Sequence, residues 1–252
     1  RKALLPLYEE IFCLGGYSLV KLSPKSHQIS EELALLMPTS GSTGSQKLVR
    51  QTYNNILANT NSIIEYLNID SSERSITSLP MNYTYGLSVI NTFIFSGGSI
   101  LVTEKNMIDR TFWQDMENYQ ITHLSGVPYS YSLMKKLKFF DMHLNDLQVL
   151  TQAGGKLSED LHVEFHDFAA KNNKTFYVMY GQTEATSRIS YLPFQVHLKK
   201  KGSIGIAIPG GNLMLRDDKG DKIVTPFVEG EIIYEGENVS MGYSENLAEL
   251  NR

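Results

Sequence analysis

The chain has 252 residues, of which 42% are hydrophobic, 10% aromatic and 20% charged, a composition that excludes a disordered or fibrous chain and suffices for a buried core. Its 23 basic and 27 acidic residues leave a net charge of −4, so there is no broad positive field to bind nucleic acid. A single cysteine, Cys13, rules out an intrachain disulfide and a thiolate metal cage; no apolar run approaches the ~18 residues of a membrane span and no leader opens the chain, so a reducing, cytoplasmic setting is expected.

In chain order, residues 33–37 (Leu-Ala-Leu-Leu-Met) read as a buried strand, followed by a Gly/Ser/Thr loop and a helix opening near Thr52 with Ile56, Ile63, Ile64 and Leu67 on one face. Strand-like runs at 75–79, 99–103, 121–124, 147–151 and 175–179 alternate with helical patterns at 86–95, 109–119, 128–137 and 158–171. This alternation predicts an α/β fold: a largely parallel sheet flanked by helices. Beyond Pro193 short strands at 213–216, 222–224 and 231–234 are separated by turns such as Asp217-Asp218-Lys219-Gly220, which predicts antiparallel meander. The expected division is an α/β region over 1–195, incomplete at its front, and part of a β-rich, barrel-like subdomain over 196–252. Arg1 in place of Met, and an end at Asn251-Arg252 without a closing hydrophobic element, lead us to expect a piece of a larger protein.

Three segments carry chemistry. The first is Thr39-Ser40-Gly41-Ser42-Thr43-Gly44-Ser45-Gln46-Lys47, expected between the first strand and the first helix. Small residues let backbone N–H groups approach phosphate oxygens, hydroxyls add donors, and Lys47 supplies a mobile charge. It is not a Walker loop, because Gln46 precedes and Leu48 follows the lysine. The second, Tyr180-Gly181-Gln182-Thr183-Glu184, follows a strand at the sheet edge where α/β folds bind ligands, and offers an aromatic for stacking, a hydroxyl donor and a carboxylate suited to Mg²⁺. The third, Thr151-Gln152-Ala153-Gly154-Gly155-Lys156, is a flat glycine surface at the same edge. Taken singly, each is also compatible with a plain connector or turn.

Together these segments resemble the adenylate-forming superfamily of acyl-CoA synthetases, nonribosomal peptide synthetase adenylation domains and luciferases. The loop at 39–47 resembles its phosphate loop. The run Leu79-Pro80-Met81-Asn82-Tyr83-Thr84-Tyr85-Gly86 resembles its Leu-Pro…His…Gly segment, and 180–184 its Tyr-Gly-x-Thr-Glu segment. Gly202-Ser203-Ile204-Gly205, Pro209-Gly210, Gly230-Glu231 and Gly242-Tyr243 fit its later segments. The resemblance spans residues 30–252 and implies an acyl-CoA synthetase-like fold and activation of a carboxylic acid by ATP to an acyl-adenylate, with CoA or a carrier-protein phosphopantetheine as acceptor.

Carried over by position, the resemblance implies that Thr39, Ser40, Gly41, Ser42, Thr43, Gly44 and Lys47 enclose the β- and γ-phosphates. Tyr180 would stack on adenine beside Gly181 and Gln182, with Gly154, Gly155 and Lys156 as the opposite wall. Thr183 would bond the α-phosphate, Glu184 would hold Mg²⁺, and Tyr83 and Val127 would line the acyl pocket. Tyr83 stands where the family has histidine, and a phenol cannot become cationic. The family's ribose-binding aspartate and its lysine-bearing C-terminal domain would lie beyond Arg252. The alternative is a non-catalytic nucleotide- or acyl-adenylate-binding module. No GxSxG elbow is present. The six histidines are not expected to form a set, and His162 and His166 are expected in solvent-facing or capping roles; Lys199, Lys200 and Lys201 are expected on a solvated loop.

Overall fold

A computed structural model describes residues 9–14, 17–21, 29–39 and 47–251. At the front, β1 (Glu9–Leu14) and β2 (Tyr17–Lys21) pair antiparallel. β3 (Leu33–Pro38) and β4 (Leu48–Thr52) form a second antiparallel pair. The segment at 39–47 therefore joins two strands, and not a strand to a helix as expected. Arg50 and Gln51 conceal β4 in the sequence: both are polar, yet both are consumed by tertiary hydrogen bonds, from Arg50 Nη2 to the Met241 carbonyl (2.8 Å) and from Gln51 Nε2 to the Thr183 carbonyl (2.9 Å). β3 is also only half-buried over Leu33 to Leu36, a correction to the buried strand expected there.

Thr52 caps α1 (Tyr53–Leu67) as predicted. Its hydroxyl accepts from the Asn55 N–H and Asn55 Oδ1 accepts from the Thr52 N–H, both at 2.9 Å, the reciprocal arrangement that satisfies two orphan donors of the first turn. Asn68, left-handed at φ 53°, ends it.

Among the described residues the main sheet has seven strands. β5 (Arg74–Ile76), β6 (Ser99–Leu101), β7 (His123–Gly126), β8 (Val149–Gln152) and β9 (Thr175–Tyr180) are mutually parallel in the order β9-β8-β7-β5-β6. The connecting helices are α2 (Thr84–Phe95), α3 (Arg110–Asn118), α4 (Pro128–Lys136) and α5 (Glu159–Lys171). β10 (Ser190–Leu192) returns antiparallel on β9, and β11 (Ile206–Ala207) pairs with β10. β12 (Asn212–Arg216), β13 (Lys222–Ile223) and β14 (Glu231–Glu235) form an antiparallel sheet in the order β13-β12-β14, a correction to the expected meander, because β14 returns beside β12 and not beside β13; β15 (Tyr243–Ser244) pairs with β4. The fold is thus α/β, with a mostly parallel sheet flanked by helices and antiparallel strands added.

The larger core cluster packs Phe112, Tyr131, Phe139, Phe165 and Phe176 against the sheet. Each such ring contributes about 2–3 kcal/mol of apolar burial. Among the described residues no helix is long and apolar enough to cross a membrane. Lys199, Lys200 and Lys201 are exposed, as expected.

The histidines overturn their expectation. His162 and His166 of α5 are buried together with His197, which comes from the 3-10 turn Phe194–Lys199. His162 Nε2 lies 3.1 Å from His197 Nδ1, and the His166 ring packs 4.6 Å from that of Phe194. The i, i+4 spacing places both α5 histidines on the face that this later turn covers, a partner invisible to local pattern. Burial lowers the His197 pKa from 6.5 to about 4, against the opposing pull of its contact with the Leu192 carbonyl, and burial also lowers that of His162.

Between those two values the unfolded chain takes up a proton that the folded chain refuses. The contribution of His197 to stability is therefore complete above pH 6.5 and is lost as pH falls toward about 4. Denaturant titrations from neutral to mildly acidic pH should show a decline of at most about 1.4 kcal/mol per pH unit from this residue. A His197→Phe chain should show a shallower decline; an equally steep one would contradict the assignment.

Candidate functional site

The carboxyl ends of β8 and β9 open onto a cavity of about 500 Å³, the position at which open α/β sheets bind ligands. β9 ends at Tyr180, and Gly181 lets the chain fold back on itself, since a Cβ there would collide with the Ser187 carbonyl. Thr183, Glu184 and Ala185 form one 3-10 turn, and Thr186 follows at φ 64°.

Buried side chains from distant elements hold this turn. Gln51 Nε2 of β4 donates to the Thr183 carbonyl (2.9 Å) and the Ser240 N–H to the Glu184 carbonyl (2.8 Å). Asn238 Nδ2 donates to the carbonyls of Ala185 and Arg188, both at 2.9 Å, while Asn59 of α1 brackets the Arg188 peptide through its own amide. Thr186 Oγ1 completes the circuit by donating to the Asn238 carbonyl (2.7 Å).

The cavity is polarised. At its mouth, the exposed lining residues include Lys47, Gln182 and Tyr243. Lys47 Nζ pairs with Glu245 Oε1 at 2.7 Å, which raises the lysine pKa, and lies 5.9 Å from the centre of the Tyr243 ring. Tyr243 donates its hydroxyl to Glu184 Oε1 at 2.6 Å, and the carboxylate raises the phenol pKa in return. At the floor, Tyr85, Ala153, Ser187 and Arg188 are buried.

Of the residues anticipated from sequence, Thr39, Lys47, Tyr83, Gly154, Gly181, Gln182, Thr183 and Glu184 all line this cavity. Gly155, Lys156 and Tyr180 instead line a neighbouring cavity of about 480 Å³, which shares Gly154 and Gly181 with the first. Gln182 bridges the two, its Nε2 donating to the Tyr180 hydroxyl at 3.0 Å. Gly154, at φ 82°, has no Cβ because the Tyr83 hydroxyl and Val127 occupy that space. Val127 packs mainly against the smaller core cluster. Ser40, Gly41, Ser42, Thr43 and Gly44 lie outside the described residues. Sequence reasoning missed Ser187 and Arg188; the available signal was an arginine embedded in Thr-Ser-Arg-Ile-Ser-Tyr-Leu, a run that otherwise leads into a buried strand.

A family model described as AMP-binding enzyme matches residues 12–244. The chain belongs to this family. It is 28% identical over 243 residues to the 2-succinylbenzoate–CoA ligase of Bacillus pumilus, covering 96% of this chain and 48% of that protein. To the ligase of the same name from Staphylococcus epidermidis it is 31% identical over 219 residues, covering 84% and 42%. Its fold matches the o-succinylbenzoate CoA synthetase of Bacillus subtilis in complex with AMP at a TM-score of 0.75 and 24% identity, over 86% of this chain and 43% of that one. The complex of that synthetase with ATP and magnesium gives 0.74 at 23% identity, over 88% and 45%. The chain therefore spans less than half the length of these relatives.

In this AMP-binding chain the Thr183 turn depends on Asn238. An Asn238→Ala substitution strips the Ala185 carbonyl and the Tyr234 hydroxyl of buried partners and should cost about 1–3 kcal/mol. Equilibrium denaturation measures it; an unchanged midpoint would show that the turn is held by other means.

Proposed function

We propose that this chain is the nucleotide- and acid-binding part of an acid–thiol ligase, which activates a carboxylic acid with ATP as an acyl-adenylate and passes the acyl group to CoA. The observation that carries the reading is the meeting of Lys47, Thr183 and Glu184 on one cavity at the sheet edge, in a chain whose relatives are named CoA ligases. Carrier-protein phosphopantetheine is the second acceptor compatible with the family. On this reading residues 1–195 form the nucleotide- and acyl-binding region, 196–252 part of the β-rich subdomain, and a lysine-bearing domain follows; the enzyme works in the cytoplasm.

The substrate carboxylate is ionised at neutral pH, so no general base is needed. One carboxylate oxygen attacks the α-phosphorus, the bond to the bridging oxygen of pyrophosphate breaks, and pyrophosphate leaves with the electron pair. The thiol gives up its proton to solvent and attacks the acyl carbon, the acyl carbon–oxygen bond breaks, and AMP departs with that electron pair. Catalysis is positioning and charge stabilisation. The Thr183 hydroxyl donates to the α-phosphate, and Lys47 exchanges Glu245 for the β- and γ-phosphates, joined by Thr39, Ser40, Gly41, Ser42, Thr43 and Gly44. Tyr180 stacks on adenine beside Gly154, Gly155 and Lys156, while Tyr83 and Val127 border the acyl group.

Among the described residues no cluster of three or more His, Cys, Asp or Glu suits a metal ion. A lone carboxylate such as Glu184 fits Mg²⁺, which keeps most of its shell as water and phosphate oxygen. When bound, the ion would neutralise phosphate charge. In the full-length protein, Lys47→Ala and Glu184→Ala should each lower carboxylate-dependent ATP–pyrophosphate exchange by about 100-fold or more, the scale of losing one stabilising group. Exchange at the unsubstituted rate would refute the reading.

A further inference from the structure

His162 lines the second cavity, of about 480 Å³, beside Gly154, Gly155, Lys156 and Tyr180, although it is only 2% exposed. Its protonation is fixed from behind by a chain of hydrogen bonds. His197 Nε2 lies 2.9 Å from the Leu192 carbonyl, and a carbonyl only accepts, so Nε2 carries the His197 proton. Burial keeps that ring neutral, which leaves His197 Nδ1 as a lone-pair acceptor. His162 Nε2, 3.1 Å from it, therefore donates. Burial also lowers the His162 pKa from 6.5, so at neutral pH its one proton is spent on His197. His162 Nδ1 is thus a bare acceptor, and no hydrogen bond engages it among the described residues.

The rest of the cavity suits a flat aromatic guest. Gly154 and Gly155 present backbone without side chains, and the Tyr180 hydroxyl is tethered by Gln182 Nε2 at 3.0 Å, which steadies the ring. Leu157, Val178, Met179 and Ile204 supply apolar lining. An acceptor left without a donor in such surroundings is costly, so the group that completes it is an N–H on the edge of a planar ring.

We propose that His162 selects the nucleotide base, its Nδ1 accepting a hydrogen bond from the 6-amino group of an adenine seated in this cavity. This rests on the adenylate-forming reading above. The Leu192 carbonyl and His197 hold the His162 proton on the side away from the guest, so the ring offers only a lone pair and needs no rearrangement on binding. A 6-oxo purine would set acceptor against acceptor, and a purine without the amino group would leave Nδ1 unpaired.

The test is pyrophosphate exchange by the full-length protein on a mixed panel of carboxylic acids, with ATP beside purine riboside triphosphate, which lacks only the 6-amino group. The unsubstituted protein should favour ATP by about 10-fold or more in kcat/KM, the scale of leaving one buried acceptor unpaired. His162→Gln keeps an amide at the place of Nε2, and with it the bond to His197, but removes the acceptor; it should raise the KM for ATP until the two nucleotides are used alike, with purine riboside triphosphate little affected. His162→Asn, whose amide oxygen stands at the place of Nδ1, should restore part of the preference. In unsubstituted protein labelled with nitrogen-15 in histidine, AMP should move the His162 Nδ1 resonance further than purine riboside monophosphate does; an equal response to both would overturn the inference even if neither variant folds. Equal use of the two triphosphates by the unsubstituted protein would also overturn it while leaving acid activation standing, as would an equal loss with both in His162→Gln, which would confine His162 to packing. Exchange with neither triphosphate would refute the adenylate-forming reading itself, and this inference with it.

Discussion

The site depends on one constraint: residues 183–188 leave the sheet without regular secondary structure beyond a single turn, yet they are largely buried, so the carbonyls of Thr183, Glu184, Ala185 and Arg188 draw donors from distant parts of the chain. Gln51, Asn59, Asn238 and the Ser240 N–H supply them. These donors come from β4, α1 and the segment before β15, so three parts of the chain far apart in sequence must dock before Thr183, Glu184 and Arg188 acquire fixed positions. Asn55 reinforces the same junction, donating from α1 to the carbonyls of Glu237 (2.6 Å) and Val239 (2.8 Å). Neutral amides are suited to holding such a junction, because they both donate and accept and bring no net charge into a cavity whose chemistry is ionic.

The charged groups follow a gradient of burial. Lys47 and Glu245 are 45% and 53% exposed, so their pair is screened and exchanges readily for another partner. Glu184 is half-buried and tethered to Tyr243. Arg188 is fully buried with its backbone clamped.

Much of this architecture is legible in the sequence. The alternation of β-rich and amphipathic runs identifies α1 to α5 and β5 to β9 to within a few residues, because a parallel sheet leaves a strong periodic signature. The segments at 151–156 and 180–184 meet at one sheet edge for the same reason, whereas Thr39 and Lys47 reach the cavity from the separate β3–β4 pair. What escapes is what depends on distant partners. β4 is hidden because Arg50 and Gln51 look solvent-facing until Met241 and Thr183 arrive to receive their hydrogen bonds. β10 and β11 are three and two residues long, too short for a period to register. His162 and His166 look solvent-facing because the turn that buries them lies about thirty residues onward, and Arg188 goes unnoticed because arginine is mostly exposed, its place in a run that leads into a buried strand being a faint local sign to the contrary.

The central claim is that a carboxylate oxygen attacks the α-phosphorus of ATP in this site. It is tested most directly by giving the full-length protein an acid labelled in its carboxylate with a heavy oxygen isotope and following the label by mass spectrometry. Attack at the α-phosphorus leaves one labelled oxygen in AMP and none in pyrophosphate. Label in inorganic phosphate with release of ADP would mean attack at the γ-phosphorus and would contradict the account.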